Sequence, residues 1–291
     1  MTLIYSQQFL QGIVLVADSR SSKVDTAGKY DAWRDNTQKI FRIKDHTFIS
    51  FCGDIEFAGV IIQFLIRQVH EKSQLANIHV FYRKAPKLIK FAYEQLARVL
   101  NRRPLVEFII AGVDFSRPEL IKENGKIVGH IGNVFDKKAF KISCPKFEIK
   151  ESGFLNHSQL IGGSGTPALE EGLATDLQGL YNFGGIGPLD YHGMLISGAL
   201  KENAEKLGID TVGGLFQIVV IDQNGSRFVG YKSRSKEHED PNTLDLEMAL
   251  RNGRWVQKNL KTGKETPLLY PPEIIDAIKI NDSPELFALL E

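Results

Sequence analysis

The apolar pattern of the first part of the chain predicts β-strands. A short mixed segment opens the chain, and residues 12–17 are continuously apolar, which is typical of a strand covered on both faces. The segment 39–52 holds two strand-like runs around a polar turn, so it predicts a β-hairpin that ends at Gly53. The chain therefore opens with a block of strands.

The period of the apolar residues changes after Gly53. Apolar residues recur at helical spacing from Ile55 to Val69, behind Asp54 as a candidate N-cap, and predict a largely buried helix. Residues 84–101 predict a second helix with a basic face. The later segments predict strands at 107–113, 119–121 and 126–128, the last two joined by a tight turn at 124–125. They also predict a strand–glycine–helix unit from 158, a helix at about 190–207 and a hairpin around 224–225.

This order of elements predicts an α+β fold class. Blocks of strands separated by blocks of helices favour antiparallel sheets over alternating β-α units, and doubly covered strands fit two stacked sheets between helix layers. We expect a four-layer α-β-β-α sandwich over residues 1–231. A charged linker at 232–242 and a C-terminal extension of unknown role at 243–291 would follow it.

The composition is that of an ordinary folded protein. The chain has 291 residues, of which 43% are hydrophobic and 24% are charged. Its formal net charge of +1 argues against nucleic acid or an anionic membrane as the main partner. The basic face of the second predicted helix is therefore interpreted as a solvated surface.

The cysteines and histidines restrict the chemistry further. Cys52 and Cys144 are too few for a disulfide scaffold, and the seven histidines form no metal-binding spacing. The N-terminus has no basic region followed by an apolar core, so no targeting signal is recognised. We expect a reducing, cytoplasmic setting and an activity that needs no cofactor or metal.

The second residue is the main candidate for chemistry. Initiator Met is generally removed when a small residue follows, so the mature chain can begin at Thr2 with a free α-amine beside a hydroxyl. An α-amine has a pKa of about 7.7–8.0 in model peptides, which suits a group that takes a proton from the hydroxyl and returns it. A threonine hydroxyl with its own N-terminal amine is an established pair of nucleophile and base. The alternative is an ordinary Met-Thr start.

Further motifs follow Thr2 in a specific order. They are Gly12-Ile13-Val14-Leu15-Val16-Ala17-Asp18-Ser19-Arg20, Lys39-Ile40-Phe41-Arg42-Ile43, Gly53, Ala111-Gly112-Val113-Asp114 and Gly163-Ser164-Gly165. Together they resemble the proteasome β-subunit family of N-terminal nucleophile hydrolases, including the bacterial proteasome-like peptidases. The resemblance covers roughly residues 2–231 and implies the same four-layer sandwich.

The resemblance implies roles for individual residues. Thr2 is the nucleophile, Asp18 and Lys39 are its charged neighbours, the backbone N–H of Gly53 faces the developing oxyanion, and Ser164 hydrogen-bonds the threonine amine. Asp18 lies 18 − 2 = 16 positions after Thr2, as in the family, whereas the polar loop before Lys39 is several residues longer. A buried Lys39 ammonium would lower the proton affinity of the amine, and Asp18 would supply its countercharge. Taken singly, Asp18 would be a strand-end acid and Lys39 an exposed strand cation.

One motif departs from the family. Before the glycine pair that opens a late strand, the family often has an aspartate and a serine, whereas this chain reads Ile209-Asp210-Thr211-Val212-Gly213-Gly214. Asp210 stands one position nearer the glycines than the family's aspartate, and Val212 occupies the serine's place. Either a one-residue shift restores Asp210, with Thr211 supplying a hydroxyl, or this support of the site is missing.

The function implied by the resemblance is that of a threonine-type endopeptidase, which hydrolyses peptide bonds through an acyl-ester on Thr2. The expected partners are polypeptide substrates, further copies of the chain in a homo-oligomeric ring, and an ATP-dependent unfoldase; neither nucleic acid nor a membrane is expected. Two alternatives stay open. A small-molecule amidase or acylase would use the same Thr2 chemistry, and a non-catalytic subunit would keep the sandwich for assembly alone.

Overall fold

The computed structural model of the protein describes most of the chain. The described residues are 3–24, 30–115, 120–123, 125–130, 135–152, 159–163, 166, 169–170, 172, 187–234, 243–252 and 254–269. Two predicted site residues, Thr2 and Ser164, lie outside the described residues.

Two five-stranded antiparallel sheets form the centre of the molecule. Sheet I contains, in spatial order, β12 (Gln159–Gly163), β1 (Leu3–Phe9), β2 (Gly12–Asp18), β13 (Phe216–Asp222) and β14 (Gly225–Phe228). Sheet II contains β11 (Glu148–Glu151), β10 (Phe135–Cys144), β7 (Val106–Phe115), β6 (Thr47–Gly53) and β5 (Ile40–Lys44). The predicted antiparallel sheets are therefore present.

Helices cover the outer face of each sheet. The helices α1 (Ile55–Glu71) and α2 (Ile78–Val99) pack on sheet II, and α3 (Leu189–Lys206) packs on sheet I. A third apolar cluster, which includes Ile4 and Ile109, fills the space between the sheets. This arrangement confirms the predicted α+β class and four-layer sandwich. Within the described residues, no helix has the length and apolar character that a membrane crossing requires.

Strand β2 shows why its sequence is continuously apolar. Val14 and Val16 pack with residues of α3, whereas Ile13 and Leu15 pack between the two sheets. Because successive side chains of a strand point to opposite faces, a strand inside this sandwich buries all of them.

The two helices on sheet II begin at capping side chains. Asp54 caps α1 as predicted, since its carboxylate accepts a hydrogen bond from the N–H of Phe57 at 3.0 Å. Helix α2 begins at Ile78, earlier than the predicted residue 84, because Asn77 accepts from the N–H groups of His79 and Val80.

The residues after β14 form a third sheet. Sheet III consists of β15 (Tyr231–Ser233), β16 (Leu246–Arg251), β17 (Arg254–Asn259) and β18 (Glu265–Pro267). Its core contains Leu215, Met248, Trp255 and Leu268, so sheet III packs on the residues that lead into β13. The described residues also include two small hairpins, β3 (Ser21–Val24) with β4 (Tyr30–Arg34) and β8 (Leu120–Glu123) with β9 (Lys126–His130).

Candidate active site

The first hairpin of the chain places Leu3 beside Asp18. Strands β1 and β2 pair antiparallel, with Ile4 opposite Ala17, so the start of β1 and the end of β2 lie at the same edge of sheet I. The N–H of Leu3 donates to Asp18 Oδ1 at 2.9 Å. Leu3 directly follows Thr2 in sequence, so Asp18 binds the backbone next to the predicted nucleophile.

Lys39 reaches the same carboxylate from the segment before β5. Its Nζ lies 2.5 Å from Asp18 Oδ1, and it also donates to the backbone carbonyl of Arg20. Both side chains of the pair are 0% exposed. The expectation of an exposed strand cation, which Lys39 would be if taken singly, is therefore wrong, because its ammonium has an ionic partner inside the protein.

The environment acts on the protonation of both groups. Burial raises the pKa of Asp18 and lowers the pKa of Lys39, because loss of water disfavours each charged form. Their mutual attraction opposes both shifts. Further hydrogen bonds to the Asp18 carboxylate, from the N–H of Leu3 and from the N–H of Gly213 at 3.1 Å, also favour its charged form.

The residues after Asp18 hold the surrounding loops together. The Arg20 guanidinium forms a bidentate pair with Asp35, with N–O distances of 2.6 and 2.8 Å. The guanidinium also lies over Gly213, where a Cβ would come within 2.5 Å of its Cζ. The Ser19 hydroxyl donates to the Asp35 carbonyl, and a Cβ on Gly214 would come within 2.3 Å of that hydroxyl oxygen. Ser19 and Arg20 can therefore approach the glycine pair Gly213-Gly214 closely because the two glycines have no side chains.

Gly53 ends β6 in a conformation that favours glycine. Its φ is +99°, and a Cβ at this position would lie 2.2 Å from the carbonyl oxygen of Leu105. The fold therefore requires glycine here whatever the role of its N–H. The neighbouring Cys52 is buried, and burial raises the pKa of its thiol, which matches a structural cysteine better than a nucleophile.

Strand β12 carries Gly163 to the same edge of sheet I. Gly163 pairs with Leu3, and its N–H donates to Glu107 Oε2 at 2.7 Å. Oε1 of that carboxylate accepts from Ser143 at 2.7 Å and from Lys141 at 3.1 Å. Glu107 thus connects β7 and β10 of sheet II to the end of β12, immediately before the predicted Ser164.

Residues 209–214, the motif that differs from the family pattern, lie in the turn after α3. Asp210 is exposed, and its backbone carbonyl accepts from Arg20 Nη1 at 2.9 Å. Thr211 is buried, and its hydroxyl has no hydrogen-bond partner among the described residues. Val212 packs into the apolar core beneath α3. The described contacts therefore join Asp210 to the site through its backbone and leave a buried hydroxyl at the next residue.

Comparison with known proteins gives one family. The family model described as "Proteasome subunit" matches residues 7–132. This part of the chain is similar to proteasome subunits. The matched region contains Asp18, Lys39 and Gly53 and ends before Ser164 and Asp210. No curated protein matches the chain.

The family match indicates the function at a coarse level. The match supports a proteasome-type peptidase or a related subunit, and members of the matched family form oligomeric rings with polypeptide substrates. Among the described residues, no group of three His, Cys, Asp or Glu side chains is placed to hold a metal ion.

Sequence reasoning missed one residue of the site. Gln217 lies on β13 and is fully buried, and its side chain contacts the backbone of both Lys39 and Asp18. The signal available in the sequence was a single polar residue inside the apolar run 215–221. Such a residue indicates a buried hydrogen-bonded group but does not identify its partners.

Proposed function

We propose that the protein is a threonine peptidase of the proteasome type, with Thr2 as its nucleophile after removal of Met1. The observation that carries this proposal is the fully buried Asp18–Lys39 pair, whose carboxylate also binds the N–H of Leu3. A lysine and an aspartate are costly to bury, and here they lie beside the residue that follows Thr2. The family assignment supports the same function.

The proposed reaction begins with the amine of Thr2 as the general base. The amine takes the hydroxyl proton, and the hydroxyl oxygen attacks the carbonyl carbon of the scissile peptide bond. The nearby Lys39 ammonium lowers the proton affinity of the amine and hydroxyl, which keeps the amine unprotonated near neutral pH. The backbone N–H of Gly53 stabilises the oxyanion, and donors of this kind contribute about 3–4 kcal/mol.

The second half of the reaction releases both products. The protonated amine gives its proton to the leaving amine as the peptide bond breaks, and an ester joins the acyl group to Thr2. A water molecule then attacks the ester carbonyl, with the same amine taking its proton. The bond between the acyl carbon and the Thr2 oxygen breaks, the amine returns the proton to that oxygen, and the carboxylic acid product leaves. We assign Ser164 to the hydrogen bond with this amine and either Asp210 or Thr211 to its outer support.

The difference from the family pattern at residues 209–214 favours a second candidate function, that of a non-catalytic subunit. Val212 supplies no hydroxyl, and the described hydrogen bond of Asp210 to the site uses its carbonyl. A subunit that has lost part of the support would keep the sandwich and the Asp18–Lys39 pair for assembly. A small-molecule amidase of the same superfamily is distinguished from both by its substrates.

The deciding experiment combines the state of the N-terminus with turnover. Mass spectrometry of the purified protein should show loss of Met1, and the protein should hydrolyse an unfolded, fluorophore-labelled casein. Thr2→Ala should abolish this hydrolysis while leaving the melting temperature nearly unchanged, because the substitution removes only the attacking hydroxyl and one methyl group.

The other outcomes separate the candidates. Retained Met1 with no turnover would favour the non-catalytic subunit, since no free Thr2 amine exists. Hydrolysis of acyl-amide substrates without hydrolysis of casein would favour the amidase. Casein hydrolysis that survives Thr2→Ala would contradict the proposed mechanism.

A further inference from the structure

Gln217 occupies a position where a polar side chain is costly. It is the second residue of β13, lies opposite Ala17 of β2 and is 0% exposed. Val219 packs between the two sheets, and because strand side chains alternate, Gln217 faces the same space. A buried amide in this environment requires hydrogen-bond partners.

The partners of Gln217 are backbone groups around the Asp18–Lys39 pair. Its Oε1 accepts from the N–H of Lys39 at 2.8 Å and from that of Ile40 at 3.3 Å. Its Nε2 donates to the carbonyl of Thr37 at 3.0 Å and to that of Asp18 at 3.4 Å. The amide thus uses two acceptor sites and two donors, which is its full capacity.

At Lys39, the contacts with Gln217 take the place of backbone hydrogen bonds between strands. Strand β5 begins at Ile40, so Lys39 stands just outside the pairing of sheet II, although its carbonyl accepts from the N–H of Phe51 at 3.2 Å. The N–H of Lys39 binds Gln217 instead. The Lys39 side chain extends from this backbone to Asp18. The Gln217 amide therefore fixes the position of the backbone from which the ammonium reaches the carboxylate.

From this geometry we infer that Gln217 is a positioning residue, whose amide holds the backbones of Asp18 and Lys39 at the separation that their ion pair requires. The inference rests on the proposed function for its effect on catalysis, because the pair acts on the Thr2 amine in that proposal. The effect on the backbone around Lys39 does not depend on any activity.

The first test replaces the amide with an apolar side chain of similar length. Gln217→Met removes all four hydrogen bonds, and we expect kcat for casein hydrolysis to fall by about 100-fold with KM nearly unchanged, as for other small misplacements of catalytic groups. The matched control is Gln8→Met, since Gln8 is a buried glutamine of the same sheet whose Nε2 donates to Ser152 O at 3.3 Å. Its kcat should stay close to that of the wild type.

A second readout measures the backbone directly by amide hydrogen exchange. In Gln217→Met the amides of Lys39 and Ile40 lose their acceptor, so their exchange should accelerate by about tenfold relative to the wild type, whereas in Gln8→Met it should not. Unchanged exchange at Lys39 and Ile40 in a folded Gln217→Met would overturn the inference. A normal kcat in that variant would overturn its catalytic part.

A wild type with a free Thr2 that hydrolyses nothing would contradict the proposed function, and the exchange measurement would still decide the role of Gln217.

If Gln217→Met does not fold, Gln217→Glu takes its place. That variant keeps acceptor oxygens for Lys39 and Ile40 but loses the amide donors to Thr37 and Asp18. We expect a smaller fall in kcat than for the loss of all four bonds, and an unchanged kcat in folded Gln217→Glu would contradict the catalytic part of the inference.

Discussion

Asp18 and Lys39 are both fully buried, so each depends on the other to offset its lost hydration. Asp18→Asn keeps the shape of the side chain but leaves the lysine ammonium without a countercharge. We expect it to lower the free energy of unfolding by about 3–5 kcal/mol, measured by urea denaturation at neutral pH.

The double variant Asp18→Asn/Lys39→Met is the control for this prediction, because it removes the stranded charge as well. It should be more stable than Asp18→Asn alone, and both variants should lack turnover. A double variant that is less stable than Asp18→Asn would show that the two residues contribute independently, contrary to the described contact.

The sequence singles out Asp18 and Lys39 as candidate site residues but not Gln217. A carboxylate at a fixed distance from a candidate nucleophile and a lysine at the start of a strand are local features that a motif records. Gln217 acts through contacts with the backbone at Thr37, Lys39 and Ile40, which are far away in sequence. Such contacts depend on the stacking of β13 against the entry to β5, and no local pattern encodes that register.

At the scale of elements, sheet III is attached to the segment that leads to Lys39. Leu269 follows β18 and forms a parallel bridge with Thr37. Its N–H donates to the Asn36 carbonyl at 2.6 Å, and its carbonyl accepts from the N–H of Gln38 at 2.9 Å. The C-terminal residues up to 269 therefore support the chain immediately before the buried lysine.

This attachment predicts a specific effect of proline at residue 269. Leu269→Pro removes the N–H that binds the Asn36 carbonyl, so we expect a loss of about 1 kcal/mol of stability and faster amide exchange at Gln38. Glu265→Pro is the matched control, because Glu265 is exposed on β18. Its N–H lies on the same side of the strand as position 267, where the chain already has a proline without an N–H. Equal exchange at Gln38 in both variants would argue against the attachment.

Elements with local signals were predicted well, whereas sheet III was not. Apolar runs and helical spacing identified β2 and α1, and the cap at Asp54 set the start of α1. Strand β15 includes the first two residues of the segment 232–242, which the sequence suggests to be a linker, and β16 follows that segment. Their pairing is nonlocal, and the short, mixed sequences of both strands give little period-2 signal.

For the molecule as a whole, Glu107 connects the two sheets. Its carboxylate accepts from Ser143 and Lys141 on sheet II and from the N–H of Gly163 on sheet I, and it lies 3.5 Å from the Cys52 sulfur. Burial acts to raise the pKa of Glu107, but the hydrogen bonds from these donors and the charge of Lys141 outweigh it and hold the pKa below its ordinary value of 4.5.

The direction of this shift gives the sign of a pH effect on stability. The pKa of Glu107 is lower in the folded state than in the unfolded state, so its ionised form stabilises the fold above the unfolded pKa. That contribution is lost as the pH falls through the folded pKa, below 4.5. Urea denaturation of the wild type and of Glu107→Gln should therefore show a stability difference at pH 6 that shrinks as the pH is lowered.

The control for the pH effect is Glu123→Gln, which removes an exposed carboxylate on β8. Its stability difference from the wild type should be small throughout the same pH range, because an exposed carboxylate contributes little to the free energy of unfolding. A difference for Glu107→Gln that stays constant down to pH 3 would mean that the charge of Glu107 does not join the sheets.

Because Gly163 also pairs with Leu3, loss of the Glu107 contact affects the end of sheet I where β1 begins. Acid destabilisation of the molecule and loss of the candidate site should therefore occur together as the pH falls.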